Sequence, residues 1–163
     1  MNELQRLIAS NGAFAPPPQI LDAIPSESRD ARPAGVTHSI AEELWHIVYW
    51  FDRFLAWARR ESLPYPISAD EGWWTLNAVT SDEWDFLQSR FSRNLDEAVQ
   101  LAAGSPRVLL AQETTCREPG RVPLTMYEAL VDIAVHNAYH LGRVVQLRQM
   151  LGIWPPPGGG DRW

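Results

Sequence analysis

The sequence predicts an all-α protein built as a four-helix bundle. Three observations carry this: apolar residues recur at three- and four-residue spacing over three long stretches, no stretch alternates with the period of two that a half-buried strand requires, and capping signals precede the long stretches. At 163 residues, with 45% hydrophobic and 21% charged side chains, the chain has the size and composition of a single domain over residues 1–163.

The first helix is short and broken. Asn2 to Ser10 is followed by Pro16, Pro17 and Pro18, after which Gln19 to Ala23 has room for a turn or two. Pro25 to Thr37 reads as a connecting loop. Ser39-Ile40-Ala41-Glu42 is a capping box, in which hydroxyl and carboxylate each satisfy an orphan amide, and it opens a helix from Ile40 to about Glu61. Its apolar stripe is Leu44, Ile47, Val48, Phe51 and Leu55. Trp45, Tyr49, Trp50, Phe54 and Trp57 surround much of the rest, more than one bundle core covers easily. Two expectations follow: a homodimer through this helix, or coverage by the Trp73-Trp74 segment, which shows no clean period between Tyr65 and Thr80. Ser81 is expected to cap a third helix, Asp82 to Ala103, with Gly104 just past its end. Ser105 to Pro123 reads as irregular. Thr125-Met126-Tyr127-Glu128 is a second capping box, opening a fourth helix to Leu151, with Gly152 as its stop. Met126, Leu130, Ile133, Asn137, His140, Val144, Leu147 and Leu151 form its inner stripe.

Charge and cysteine content narrow the function. Fourteen basic residues, all Arg, against 20 acidic ones give a net charge of −6, which offers no general attraction to phosphate backbones or anionic lipid; nucleic acid and membrane are not expected partners. No basic leader followed by an apolar stretch opens the sequence, and no run approaches the roughly 20 apolar residues that span a bilayer, so a soluble, cytoplasmic chain is expected. Cys116 is the only cysteine, so any bound metal must be held by imidazole and carboxylate.

Four histidines remain. His136 and His140 are four residues apart, separated on a helix by about 40° in direction and 6 Å in height, which lets two imidazoles converge on one ion. His46 lies on the aromatic helix, flanked by its inner stripe. Three imidazoles from two facing helices make the protein half of a catalytic-type site with an open coordination position. The same positions also suit histidines that are hydrogen-bonded core residues, although a buried imidazole nitrogen without a partner costs about 1–3 kcal/mol. His38 lies about 12 Å along the helix from His46 and reads as a rim residue. Glu43 and Asp132, one turn before His46 and His136, read as solvated carboxylates, with acceptance of a ligand's ring N–H as the alternative. Tyr139, Asn137 and Arg143 are candidate pocket residues. Cys116 reads as a buried or incidental thiol, and no nucleophile motif is present.

The run His38-Ser39-Ile40-Ala41-Glu42-Glu43-Leu44-Trp45-His46-Ile47, with His136-Asn137-Ala138-Tyr139-His140-Leu141-Gly142 and the following Leu151-Gly152, resembles the DinB-like (YfiT-like) superfamily of metal-dependent enzymes. The resemblance implies an up-down-down-up bundle, often dimeric, in which the residues here matching the metal ligands are His46, His136 and His140 and the ion is divalent, Zn or Ni. It leaves His38 outside the triad. It further implies a small-molecule substrate and either S-transfer using a low-molecular-weight thiol such as mycothiol or bacillithiol, or hydrolysis. Arg53, Arg143 and Arg148 are the candidate cations for an anionic thiol. Against this stands a non-catalytic bundle with a structural metal or polar core, the aromatic helix serving as an interaction surface. Because binding needs neutral imidazoles, an ion held this way is expected to leave below about pH 5–6.

Overall fold

Each long helix begins where a side chain satisfies its first free amides. In the computed structural model, which describes residues 1–10, 14–74, 78–116, 119–120 and 122–159, the second helical stretch of the sequence reading is α4 (Ile40–Ala58). Ser39 Oγ accepts from the Glu42 amide at 3.3 Å while the Glu42 carboxylate accepts from the Ser39 amide at 2.8 Å. The same reciprocal pair opens α7 (Met126–Met150), between Thr125 and Glu128, and α5 (Ser81–Leu101), between Thr80 and Glu83. The cap of α5 is therefore Thr80 and not Ser81, because Glu83 stands three residues after the threonine and completes its box. At the other end, α4 stops at Ala58, short of Glu61, where Arg60 turns into the left-handed region at φ +65°. Gly152, at φ +71°, terminates α7 in the conformation glycine adopts without penalty.

The remaining helices are short. They are α1 (Glu3–Ile8), α2 (Pro17–Ile20), α3 (Ser26–Arg29) and α6 (Pro106–Leu110). Two of them correct the sequence reading: α3 lies in the expected 25–37 loop and α6 in the expected irregular 105–123 segment. Pro106 is the first residue of α6 and supplies the helical φ where no amide is needed, while Pro25 immediately precedes α3 as its N-cap, so each single turn forms without any longer apolar period. Among the described residues there is no β-strand, only an isolated bridge between Glu113 and Thr125. The all-α class is the one the sequence predicts. No described helix is long and apolar enough to cross a membrane.

Packing joins the elements through α4, which lies against both α7 and α5, while α1 rests on α5 and α7. Leu44, Ile47, Phe51 and Leu55 of α4 are essentially inaccessible, as are Leu130, Ile133, Leu141 and Val144 of α7 and Phe91 of α5. Each contributes roughly 1.5–3 kcal/mol by leaving water. The short α1 is pinned by side chains to the C-terminal end of α5: Asn2 Nδ2 donates to the Ala102 carbonyl at 2.7 Å and Gln5 Nε2 to that of Val99 at 3.0 Å. The expected stripe of α7 is buried from Met126 to Leu147, with Leu151 partly covered.

Part of the excess aromatic surface of α4 is covered from within the chain: Trp57 is buried, and Trp45, Tyr49, Trp50 and Phe54 are half-buried. The stretch after α4 makes a 3-10 turn over Ala69–Gly72 and then lays Trp73 and Trp74 against the helix, with the Trp74 ring 6.1 Å from that of Trp45. Tyr65 stacks on Trp57, whose indole N–H donates to the Leu63 carbonyl at 2.7 Å. This is the coverage expected of the Trp73-Trp74 segment.

Candidate metal centre

Two facing helices bring three imidazoles together. His46 is at the middle of α4, and His136 and His140 are one turn apart on α7. One ring nitrogen from each lies within 4.8 Å of the other two. His46 and His140 are buried and His136 is partly so. The closest approach is between the Nε2 atoms of His46 and His136, at 3.2 Å.

That approach bears on whether the residues suit a cation. His46 Nδ1 is 2.6 Å from the Gly72 carbonyl oxygen, which can only accept, so Nδ1 carries the ring proton and Nε2 of the neutral ring carries a lone pair. This lone pair faces another imidazole nitrogen in a buried setting. Two nitrogens bound to one tetrahedral zinc at about 2.0–2.1 Å lie about 3.3 Å apart, so the observed spacing suits two ligands of a shared ion, as it also suits an N–H···N hydrogen bond between the two rings. Burial, reinforced by repulsion between neighbouring imidazoles, pushes the pKa of both His46 and His136 down to about 4. The rings therefore stay neutral, the form that binds a metal. It also moves the expected loss of an ion on acidification below the pH 5–6 that ordinary histidines imply. A three-His group of this kind can hold a divalent metal.

Around the nitrogens the wall is aromatic. Trp73 is sandwiched between His46, with ring centroids 3.9 Å apart, and His38, at 3.7 Å, with both pairs nearly parallel. The Trp50 ring stands steeply inclined to those of His46 and His136, with centroids 6.4 Å from each. Gly72 is where the chain comes nearest: a Cβ there would lie 3.1 Å from Trp50 Nε1 and 3.5 Å from the His46 ring, so a side chain would push the carbonyl off His46. His38 is a rim residue, as the sequence predicts, but it backs the indole that covers His46.

The sequence profile of the DinB superfamily matches residues 18–144, which include all three histidines. The chain belongs to the DinB superfamily. No curated protein matches the sequence. The superfamily resemblance and the geometry agree on His46, His136 and His140, and the structure sets His38 apart from the triad.

Other sequence expectations change. Glu43 is not a solvated carboxylate: it is fully buried, and its Oε2 meets Nδ1 of His140 at 2.7 Å. It pairs with the histidine across the interface and not with His46 on its own helix. Asp132 is exposed, as expected. Arg143 donates through Nε to Glu43 Oε1 at 2.7 Å and through Nη1 to the Tyr139 hydroxyl at 3.4 Å. Arg148 is no cation for a thiol, because it is wholly buried and donates to the carbonyls of Ile20, Asp22 and Ile153. Arg53 lies over the Tyr49 ring and donates to the Pro64 carbonyl. Cys116 is buried. The contributions of Gly72 and Trp73 were missed because they depend on a loop with no periodicity; a glycine directly before paired tryptophans is the one signal for them.

Proposed function

We propose that this DinB superfamily member is a metal-dependent enzyme acting on a small molecule, with His46, His136 and His140 as the ligands of one divalent ion. The observation that carries the reading is the convergence of three imidazoles, two of them with Nε2 atoms 3.2 Å apart, in a family whose resemblance implies metal-dependent chemistry. When bound, such an ion deprotonates a coordinated thiol and brings a coordinated water to a pKa near 7. The chain's own residues do the rest. Gly72 and Glu43 fix ring orientation, Trp73 shields one face of His46 from water, and Trp50 walls the space beside His136.

Within this reading the reaction is thiol S-transfer or hydrolysis, and transfer is supported by the family alone. Arg148 and Arg143 are already engaged with backbone carbonyls and with Glu43, so an anionic thiol finds no help from Arg148 and meets Arg143 only beside a carboxylate. The test is turnover of model electrophiles by the zinc- and nickel-loaded protein, with several low-molecular-weight thiols and without any. Thiol-dependent turnover above the metal-free protein supports transfer; ester or amide cleavage without thiol supports hydrolysis. A loaded protein inert in every assay would favour the structural-metal alternative.

A further inference from the structure

The three rings are held unequally. His46 is tied through Nδ1 to a backbone carbonyl, whereas among the described residues the Nδ1 of His136 meets only Asn137 Oδ1 at 3.4 Å, too long to orient it firmly. His140 is held by Glu43, which comes from α4, the helix that carries His46, and reaches across to α7. Both carboxylate oxygens of Glu43 meet donors from that facing helix: Oε2 takes the His140 ring at 2.7 Å and Oε1 takes Nε of Arg143, three residues further on, also at 2.7 Å. A carboxylate with no exposed surface, engaged on each oxygen by a separate nitrogen, has little freedom to turn.

We propose that Glu43 is a positioning residue of the metal centre: its carboxylate locks His140 as the Nδ1–H tautomer and turns the Nε2 lone pair towards His46 and His136, while Arg143 fixes which carboxylate oxygen does so. The chemistry is that of donors and acceptors. An ionised carboxylate only accepts, so the His140 nitrogen facing it carries the proton and the other nitrogen is left free to ligate. A glutamine at this position has one oxygen for two N–H donors. Its amide nitrogen must then face either Arg143 or His140, and facing His140 it selects the Nε2–H form, which cannot bind a metal. The proposal rests on the three-histidine reading, but the tautomer exists with or without an ion.

The experiment compares full-length wild-type and Glu43→Gln proteins in two measurements. Nitrogen-15 spectra of the histidine rings in the metal-free proteins are expected to show His140 as Nδ1–H in the wild type and a mixture, or the Nε2–H form, in the variant. Competition for zinc against a chromophoric chelator is expected to show affinity lowered about 10- to 100-fold. If Glu43→Gln does not fold, Arg143→Gln, altered at a partly exposed side chain, replaces it and is expected to loosen the tautomer preference and lower zinc affinity several-fold. A role confined to packing would lower the melting temperature and leave tautomer and affinity unmoved. Wild-type His140 found as Nε2–H, or zinc affinity in the folded variant within about twofold of wild type, overturns the proposal. Absence of zinc binding by the wild type defeats the metal reading instead, and the ring spectra still decide the tautomer claim.

Discussion

Two buried polar groupings sit on the same helix, little more than two turns apart, and they are satisfied in opposite ways. Towards the end of α7, Arg148 is enclosed by carbonyls: Nη1 donates to Ile20 at 2.5 Å and to Asp22 at 2.8 Å, and Nη2 to Ile153 at 3.1 Å. Its guanidinium ties the end of α2 and the chain beyond α7 to the helix, and its contacts are directed at backbone. In the middle of α7, Nδ1 of His46 and Nδ1 of His140 are tied to Gly72 and Glu43, whereas Nε2 of His46 faces Nε2 of His136 and one nitrogen from each of the three rings lies within 4.8 Å of the others. Burial alone therefore does not mark a site. A buried polar cluster closed on backbone acceptors is architecture, and one whose unshared electron pairs converge has capacity left for a ligand.

The largest expected effect separates the two. His46→Ala and His140→Ala should each lower zinc affinity by at least about 100-fold in a chelator competition, since each removes one of three donors. Arg148→Met should leave that affinity unchanged and destabilise the fold by about 3 kcal/mol in urea unfolding, because it deprives three carbonyls of a charged donor. An Arg148 variant with altered zinc binding would show that the two clusters are coupled.

The pH dependence has a definite sign. His46 and His136 titrate at about 4 in the folded chain against an ordinary value of 6.5, so between these pH values the unfolded chain binds more protons. Stability of the metal-free protein is full above about pH 6.5 and should fall by several kcal/mol as pH drops towards 4. Urea unfolding at pH 7.0, 5.5 and 4.5 checks this. A flat profile would contradict the burial of these rings. Trp73→Ala should have the smallest effect, about 1 kcal/mol from the lost stacking, together with a rise in the His46 pKa as water reaches the ring. Proton NMR titration of the ring is the check.

Much of this was legible before any coordinates. The capping boxes at Ser39 and Thr125 place the starts of α4 and α7 to the residue, because the chemistry is local. The four-residue spacing of His136 and His140 and the stripe around His46 place the triad, because helical geometry carries both. Glu43 was misread as solvated although its position was informative: Ile40, Glu43 and Ile47 fall at i, i+3 and i+7, which puts the carboxylate on the buried stripe. Its partner was not legible, since which α7 residue stands opposite depends on the register of two helices 97 positions apart in the chain. The same holds for Trp73 and the Gly72 carbonyl, whose approach is set by a loop without a repeating pattern, and for Arg148, whose acceptors are backbone atoms and leave no trace in side-chain identity.

The converging imidazoles are tested most directly by isothermal titration of metal-free protein, purified without an affinity tag, with zinc and with nickel. The expected result is saturable uptake of one ion per chain, abolished by His46→Ala and weakening as pH falls from about 5 towards 4, where His46 and His136 take up protons. No saturable uptake by the wild-type chain, or uptake unaltered when His46 is removed, would contradict a shared ion at this site.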